Sequence, residues 1–139
     1  MTNQERLDAA LARIPYVTFL GLRCELAGDE LTGILPASEH LIGNTNIPAL
    51  HGGVVGAFME LTALAELMVK EPARRQPKTI DMTIDYLRPA RGGLTTFARA
   101  EVRKLGRRIA SVHVEAWQEA RASPVAALRG HFLLSVSDG

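Results

Sequence analysis

The 139-residue sequence contains one cysteine, few aromatic residues (5%) and almost no net charge. Cys24 cannot form an internal disulfide and no secretory segment is recognisable, so we expect a cytoplasmic protein. A net charge of +1 gives no electrostatic reason to expect a nucleic-acid partner. No CxxC pattern occurs and no two histidines lie at metal-ligand spacing, so we expect no metal site.

Long uninterrupted hydrophobic runs are also absent, because Glu60 and Glu66 interrupt the most apolar stretch, and we expect no membrane span. The hydrophobic share of 47% and the charged share of 22% are ordinary for a globular protein. The length predicts a single domain over residues 1–139, in which residues 1–15 form an N-terminal helical arm that ends at a proline. Glu66 is predicted to be solvated, about 120° from Glu60 around its helix.

The periodicity of the apolar residues predicts one long helix and several strands. Apolar residues recur at helical spacing over residues 51–70, as in a helix that packs into a core. Alternating residues predict a hairpin and four later strands, over residues 19–36, 79–88, 94–105, 109–118 and 125–136. Strands joined by tight turns form antiparallel sheets. The pattern therefore predicts an α+β fold in which an antiparallel sheet of about six strands curls around one long helix, with Cys24 in the core.

The start of the long helix combines groups that suit acyl chemistry. His51 precedes Gly52 and Gly53, and the first N–H groups of a helix have no intrahelical partner. Such groups can bind an anion or a developing oxyanion. Glu60 lies at the border of the apolar stripe, with space beside it at Gly56. An oxyanion site and a carboxylate suit attack on an acyl carbonyl or proton abstraction next to one, although a plain glycine-rich helix start would read the same way.

Three motifs in order resemble the PaaI-like (phenylacetate-pathway type) hotdog-fold thioesterases. The sequence from His51 to Glu60 resembles the HGG motif of that family, with its acid nine positions after the histidine. Residues 79–90 resemble the second motif, a strand that ends in an Arg-Pro corner, and residues 104–108 resemble the late hairpin. The resemblance covers about residues 16–136. It implies an acyl-CoA thioesterase that hydrolyses a thioester to a carboxylic acid and free CoA without a cofactor.

The same resemblance assigns roles at the start of the helix. Glu60 is implied to act either as the general base on water or as the nucleophile. The N–H of Gly52, with that of Gly53, is implied to form the oxyanion hole, and His51 to orient the carbonyl. Hotdog sites form between two subunits, so the resemblance also implies a homodimer or homotetramer in which one subunit supplies Glu60 and the other the glycine turn.

The resemblance also implies a role for Thr79 and for one of two asparagines. Thr79 stands where some relatives have a serine that helps place the attacking water. Relatives often have an asparagine six residues before the histidine, in the loop over residues 37–50. Here that position is Thr45, so Asn44 and Asn46 are both candidates.

Arginines at two places match positions near CoA in relatives. They are Arg88 at the strand corner and Arg107 and Arg108 at the late hairpin, and guanidinium groups suit CoA phosphates. Two alternatives remain beside the thioesterase interpretation. A non-catalytic acyl-CoA-binding hotdog protein would keep the pocket and the arginines, and a hotdog dehydratase or isomerase on acyl thioesters would also use a histidine and an acid. With few aromatic residues, the sequence does not indicate which acyl group is bound.

Overall fold

The structure is a computed structural model that describes residues 1–44, 46–72 and 74–135. Within these residues the chain forms α-helices, a short 3₁₀ turn and β-strands. The helices are α1 (Asn3–Ala12), α2 (Pro15–Leu20) and α3 (Gly52–Lys70). The strands are β1 (Arg23–Ala27), β2 (Glu30–Leu35), β3 (Ile42–Asn44), β4 (Ala49–Leu50), β5 (Lys78–Tyr86), β6 (Thr96–Leu105), β7 (Ile109–Trp117) and β8 (Ala126–Leu133).

Six of the strands form one antiparallel sheet in the order β1-β2-β6-β7-β8-β5, and this sheet wraps around α3. The length and mean hydropathy of 1.5 of α3 would suit a membrane span, but 67% of that stretch is buried inside the protein. Burial against the sheet identifies α3 as the core helix. An antiparallel sheet around one long helix is the hotdog fold, and it confirms the predicted α+β architecture.

Helix α1 covers one edge of the sheet, which we name the closed edge. The Gln4 side chain lies against β1, where its Nε2 donates a hydrogen bond to the Cys24 carbonyl oxygen at 2.8 Å. The Leu26 N–H donates to Gln4 Oε1, also at 2.8 Å. One side chain therefore satisfies two backbone groups that a neighbouring strand would otherwise pair, which is one way to protect a sheet edge.

The opposite edge, formed by β5 and named here the open edge, has no such cover in the described part of the chain. Its large apolar side chains are exposed: Ile80 by 49%, Met82 by 39%, Tyr86 by 56% and Leu87 by 52%. Contiguous exposed apolar groups on an edge strand mark a surface suited to pairing with another chain.

The predicted boundaries are wrong at the N-terminal arm. A second helix, α2, begins at Pro15, because proline fits the first turn of a helix as well as it stops a preceding one. This helix ends at Gly21, whose φ of 72° suits glycine. The first hairpin strand therefore starts at Arg23 rather than at residue 19. The later strands are confirmed within a few residues, but the predicted end at residue 136 lies outside the described residues.

Burial under the closed edge decides the state of two titratable groups. Cys24 is 1% exposed, which confirms it as a core residue, and burial, with the nearby charges of Asp8 and Glu66, raises the pKa of its thiol to about 12. A protonated buried thiol is a poor nucleophile. Glu66 is 7% exposed, so the prediction that it is solvated is wrong. Helix α3 is enclosed on more sides than its apolar stripe indicated, and burial raises the Glu66 pKa although Lys70 lies 3.7 Å away.

Candidate active site

His51 is the N-cap of α3, and its ring fixes the first turn. Its Nδ1 accepts a hydrogen bond from the Gly53 N–H at 2.9 Å, and its carbonyl oxygen accepts from the Val54 N–H at 2.9 Å. The N–H of Gly52 has no hydrogen-bond partner within the described residues. Of the two N–H groups predicted for an oxyanion hole, that of Gly52 is therefore open and that of Gly53 is engaged by His51.

The cap also determines which ring nitrogen of His51 faces outward as a donor. In a neutral imidazole, an Nδ1 that accepts a hydrogen bond leaves the proton on Nε2. The His51 side chain is exposed, so its Nε2–H can donate to a bound group. His51 and Gly52 together offer two hydrogen-bond donors at the positive end of a helix.

Tyr86 holds this turn from the open edge, and the sequence did not identify it. Its hydroxyl donates a hydrogen bond to the Gly52 carbonyl oxygen at 2.7 Å, across 34 residues of chain. No local pattern signals a contact over such a separation. The turn is further held by the His51 N–H, which donates to the Leu41 carbonyl oxygen at 3.0 Å.

Gly56 allows β5 to lie close to the helix, as the predicted space beside Glu60 suggested. A Cβ atom at Gly56 would lie 2.7 Å from Ile84 Cδ1, closer than packed atoms tolerate. The missing side chain thus leaves room for Ile84 of the open-edge strand on the face of α3 that carries Glu60.

Glu60 is half-buried and meets Thr79 of β5. The Thr79 hydroxyl donates a hydrogen bond to Glu60 Oε2 at 2.6 Å. Glu60 Oε1 has no hydrogen-bond partner among the described residues. One carboxylate oxygen is therefore fixed and the other remains available for a water molecule or a substrate.

A β-bulge turns Thr79 towards Glu60, and it corrects the predicted faces of β5. Simple alternation placed Thr79 on the same face as Asp81. The register with β8 shifts between these two residues, so that Thr79 lies opposite the buried Phe132, whereas Asp81 lies opposite the exposed His131 and contacts its Nδ1 at 2.8 Å. Ile80 is the extra residue. Bulges often re-aim side chains next to active sites.

The predicted CoA-binding arginines lie at opposite ends of the sheet. Arg88 follows β5 and lines a cavity of about 410 Å³ together with Gly52 and Tyr86. Arg107 and Arg108 lie in the hairpin between β6 and β7, about 25 Å away along the strands. A single protomer therefore brings only Arg88 to the His51 turn.

A family model described as the thioesterase superfamily matches residues 48–125, which include the His51 turn, all of α3 and Thr79. The chain belongs to this superfamily. Comparison with curated proteins gives no match. The solved structures that resemble this chain include PaaI and other phenylacetic acid degradation proteins, which supports the likeness that its motifs indicated.

Three solved structures illustrate this likeness. A Chromobacterium violaceum protein is 38% identical, with a TM-score of 0.72 over 94% of this chain and 97% of its own. A variant of the phenylacetic acid degradation protein PaaI from Thermus thermophilus is 25% identical, with a TM-score of 0.72 over 86% and 97%. The E. coli PaaI protein is 18% identical and supports the fold alone, with a TM-score of 0.81 over 98% of each chain.

The two asparagines predicted for the site lie in the segment before α3. Asn44 Oδ1 accepts hydrogen bonds from the backbone N–H groups of Asn46 at 3.0 Å and Ile47 at 3.4 Å, so it holds its own loop. Asn46 is exposed, and Thr45 lies outside the described residues. A role for Asn44 or Asn46 in the site stays a prediction. Within the described ranges, no cluster of three or more His, Cys, Asp or Glu side chains could hold a metal ion.

One geometric fact limits what a single protomer can do. Gly52 and Glu60 are eight residues apart on one helix, which is about 12 Å at 1.5 Å per residue. A thioester carbonyl cannot contact both groups at that separation. The donors and the carboxylate of one protomer therefore do not form one site.

Proposed function

We propose that this protein is a cytoplasmic acyl-CoA thioesterase whose active site forms between two copies of the chain. The observation that carries the proposal is the Glu60 carboxylate held by Thr79 at the open edge of the sheet, with one oxygen available. Membership of the thioesterase superfamily gives the reaction class. Acyl-CoA as the substrate, and the roles of the residues, are the parts that experiments must test.

Pairing across the open edge would bring the two halves of the site together. When two copies of β5 pair antiparallel about a two-fold axis, the Tyr86 end of one strand lies beside the Thr79 end of the other. Tyr86 bonds to Gly52, and Thr79 bonds to Glu60. The Gly52 turn would therefore face the partner subunit's Glu60. The exposed apolar groups of the open edge support this pairing, in a homodimer or a homotetramer built from it.

Each group then has a defined chemical task. The thioester carbonyl oxygen accepts hydrogen bonds from the Gly52 N–H and the His51 Nε2–H, which stabilise the negative charge that develops there. Glu60 Oε1 takes a proton from a water molecule as that water attacks the carbonyl carbon. The carbon–sulfur bond then breaks, and the CoA thiolate leaves and takes up a proton. Thr79 keeps the Glu60 carboxylate oriented throughout.

Glu60 could alternatively attack the carbonyl carbon itself, expel the CoA thiolate and form a mixed anhydride with the acyl group, which water then hydrolyses to free Glu60 and the carboxylic acid. Both routes use the same carboxylate oxygen. After a single turnover in ¹⁸O-labelled water, ¹⁸O found in the Glu60 side chain by mass spectrometry would establish the anhydride route, because direct attack of water on the thioester places ¹⁸O only in the released acid.

The arginines support a CoA-bearing substrate under the same pairing. Arg88 lies beside the Gly52 turn of its own protomer. The two-fold axis that reverses β5 brings the partner's hairpin, with Arg107 and Arg108, to the same end of the joined sheet. We propose that these three guanidinium groups bind the phosphates of CoA.

The test is thiol release from a panel of short-chain, medium-chain and aryl acyl-CoAs. The Glu60→Gln variant should lose at least ~10²-fold in kcat on any good substrate, because it removes the base or nucleophile. Glu66→Gln, the same change six residues along the same helix, is the matched control and should keep its activity.

The other outcomes separate the alternatives. Equal activity of wild type and Glu60→Gln would contradict the mechanism. Acyl-CoA binding without turnover of any substrate would favour a non-catalytic acyl-CoA-binding protein. Conversion of an enoyl- or β-hydroxyacyl-CoA without thiol release would indicate a dehydratase or isomerase.

A further inference from the structure

A separate cavity of about 410 Å³ lies between α1 and the C-terminal end of α3, and we name it the arm cleft. Its volume is within the range of small-ligand pockets, ~300–1,000 Å³. Helix α1 and its C-cap Arg13 contribute residues at positions 3, 6, 7, 10 and 13, a spacing of three or four that places them along one side of the helix. The end of α3 and the segment after it supply Met68, Arg74 and Arg75.

The lining of the arm cleft is positively charged around an apolar floor. Four arginines border it, and no acidic side chain does so among the described residues. The whole chain carries a net charge of only +1, so this is a local concentration of positive charge. The apolar part of the lining includes the half-buried Met68 and Val69, next to Leu7, which is 3% exposed.

Some of this charge is not neutralised by carboxylates. Arg6 Nη1 donates a hydrogen bond to the neutral Asn3 Oδ1 at 3.1 Å and makes no ion pair within the described residues. Arg13 has neither a hydrogen-bonded side chain nor an ion pair within the described residues. Arg74 is held in place, because its Nη1 donates to the Arg107 carbonyl oxygen at 2.6 Å and its Nε lies 3.7 Å from Glu71 Oε2.

We propose that the arm cleft binds a phosphorylated adenine nucleotide, with the phosphates on the arginines and the base on the apolar floor. Planar guanidinium groups bind phosphate oxygens in pairs and also stack on flat rings. A small anion without an aromatic or apolar group would not contact the apolar residues of the cleft. The arm cleft therefore suits a phosphorylated nucleotide better than it suits a simple carboxylate.

The position of the cleft suits the nucleotide end of a CoA thioester. Met68 lies eight residues after Glu60 on α3, about 12 Å along the axis. Arg74 joins the cleft to the hairpin of Arg107, so a CoA whose adenine and ribose phosphate lie in the cleft would extend its diphosphate towards Arg107 and Arg108. The proposed substrate and a free adenine nucleotide carry the same chemistry, and the identification of CoA as the source rests on the proposed function.

Binding is tested first, with adenosine 3′,5′-bisphosphate in a calorimetric titration of the full chain. The double variant Arg6→Gln and Arg13→Gln should bind at least ~10-fold more weakly, because each lost guanidinium removes a charged hydrogen bond. The control is Arg23→Gln with Arg103→Gln, which loses the same charge at exposed ion pairs away from the cleft. Thermal melts establish that both variants are folded.

Kinetics then identify the source of the nucleotide. If it is the substrate, the cleft variant should raise KM for acyl-CoA at least ~10-fold, with KM unchanged for the same acyl group on pantetheine. If it is a separate nucleotide, both KM values should stay unchanged while bisphosphate binding falls. No binding of the bisphosphate, or equal weakening in the control variant, would overturn the proposal, and this result does not depend on whether thioesters are hydrolysed.

Discussion

The two edges of the sheet differ in how their unpaired backbone N–H and C=O groups are covered. At the closed edge, α1 covers β1, and Gln4 makes the two backbone hydrogen bonds that an adjacent strand would make. At the open edge, β5 presents exposed apolar side chains and has no cover in the described chain. The contrast between a covered edge and an exposed apolar one supports the proposal that two copies of the chain pair through the open edge.

Two glutamates on α3 follow the same division. Glu66 is buried towards the closed side, where its charge acts on the Cys24 thiol. Glu60 faces the open edge, is half-buried and is oriented by Thr79. The two glutamates thus lie in different environments on one helix. Of the two, only the Glu60 carboxylate is both oriented by a hydrogen bond from Thr79 and accessible to a substrate. The predictions below change one side or the other.

The largest effect is expected from a substitution on β5 that prevents two copies of the chain from pairing through the open edge. Met82→Asp places a carboxylate on the apolar edge of each protomer. Association would bury this charge, and aspartate is also unfavourable in strands, so both effects oppose pairing. Sedimentation should show monomers, and kcat/KM should fall at least ~10²-fold because the site needs both copies. Leu105→Asp, at a comparably exposed apolar residue on β6, should remain associated and active. A monomeric Met82→Asp protein with full activity would contradict the account.

A smaller effect is expected when only the orientation of Glu60 is lost. Thr79→Val keeps the shape of the side chain but removes the hydroxyl that bonds to Glu60, so kcat should fall about 10-fold, the equivalent of ~1.4 kcal/mol. Thr79→Ser keeps the hydroxyl and should stay within about threefold of wild type. Equal loss in both variants would show that the hydroxyl is not the relevant group.

The closed edge is tested by removing the Gln4 side chain that makes its hydrogen bonds. Gln4→Ala leaves the Cys24 carbonyl and the Leu26 N–H without their partner, which should lower the free energy of unfolding by about 1–2 kcal/mol in urea titrations. Activity of the folded variant should not change. Gln76→Ala, at an exposed glutamine, is expected to stay within about 0.5 kcal/mol of wild type.

The smallest effect concerns the pH dependence of stability at Glu66. Burial raises its pKa above the ordinary value near 4.5, so between those two values the folded state binds more protons than the unfolded state. Stability from this group is therefore present below pH 4.5 and is lost as the pH rises through the folded pKa. Glu66→Gln should be more stable than wild type at pH 7, by about 1 kcal/mol or less because Lys70 offsets part of the cost. Thermal melts should show that this advantage disappears near pH 4; a less stable variant at pH 7 would contradict it.

Local patterns carried most of the fold and the centre of the candidate site. The long helix from Gly52, its N-cap His51 and the later strands follow from periodicity and turn residues. The bulge at Ile80 was missed, because strict alternation cannot show one extra residue, and with it the face of Thr79. The contact of Tyr86 with Gly52 joins distant parts of the chain, and the burial of Glu66 depends on how far the sheet curls. None of these has a local sequence signal.

The most direct test of the central claim is complementation between two inactive variants. Glu60→Gln lacks the carboxylate, and His51→Ala lacks a donor and the helix cap, so each alone should be at least ~10²-fold less active. In a mixed dimer, one site would combine the intact Glu60 of one protomer with the intact His51 turn of the other.

The two variants are mixed, allowed to exchange subunits, and checked for mixed dimers by native mass spectrometry before thiol release is measured. Random pairing makes about half of the dimers mixed, each with one intact site of two, so activity should recover to about one quarter of wild type. Activity that stays at the level of the separate variants, with mixed dimers present, would contradict a site shared between two protomers.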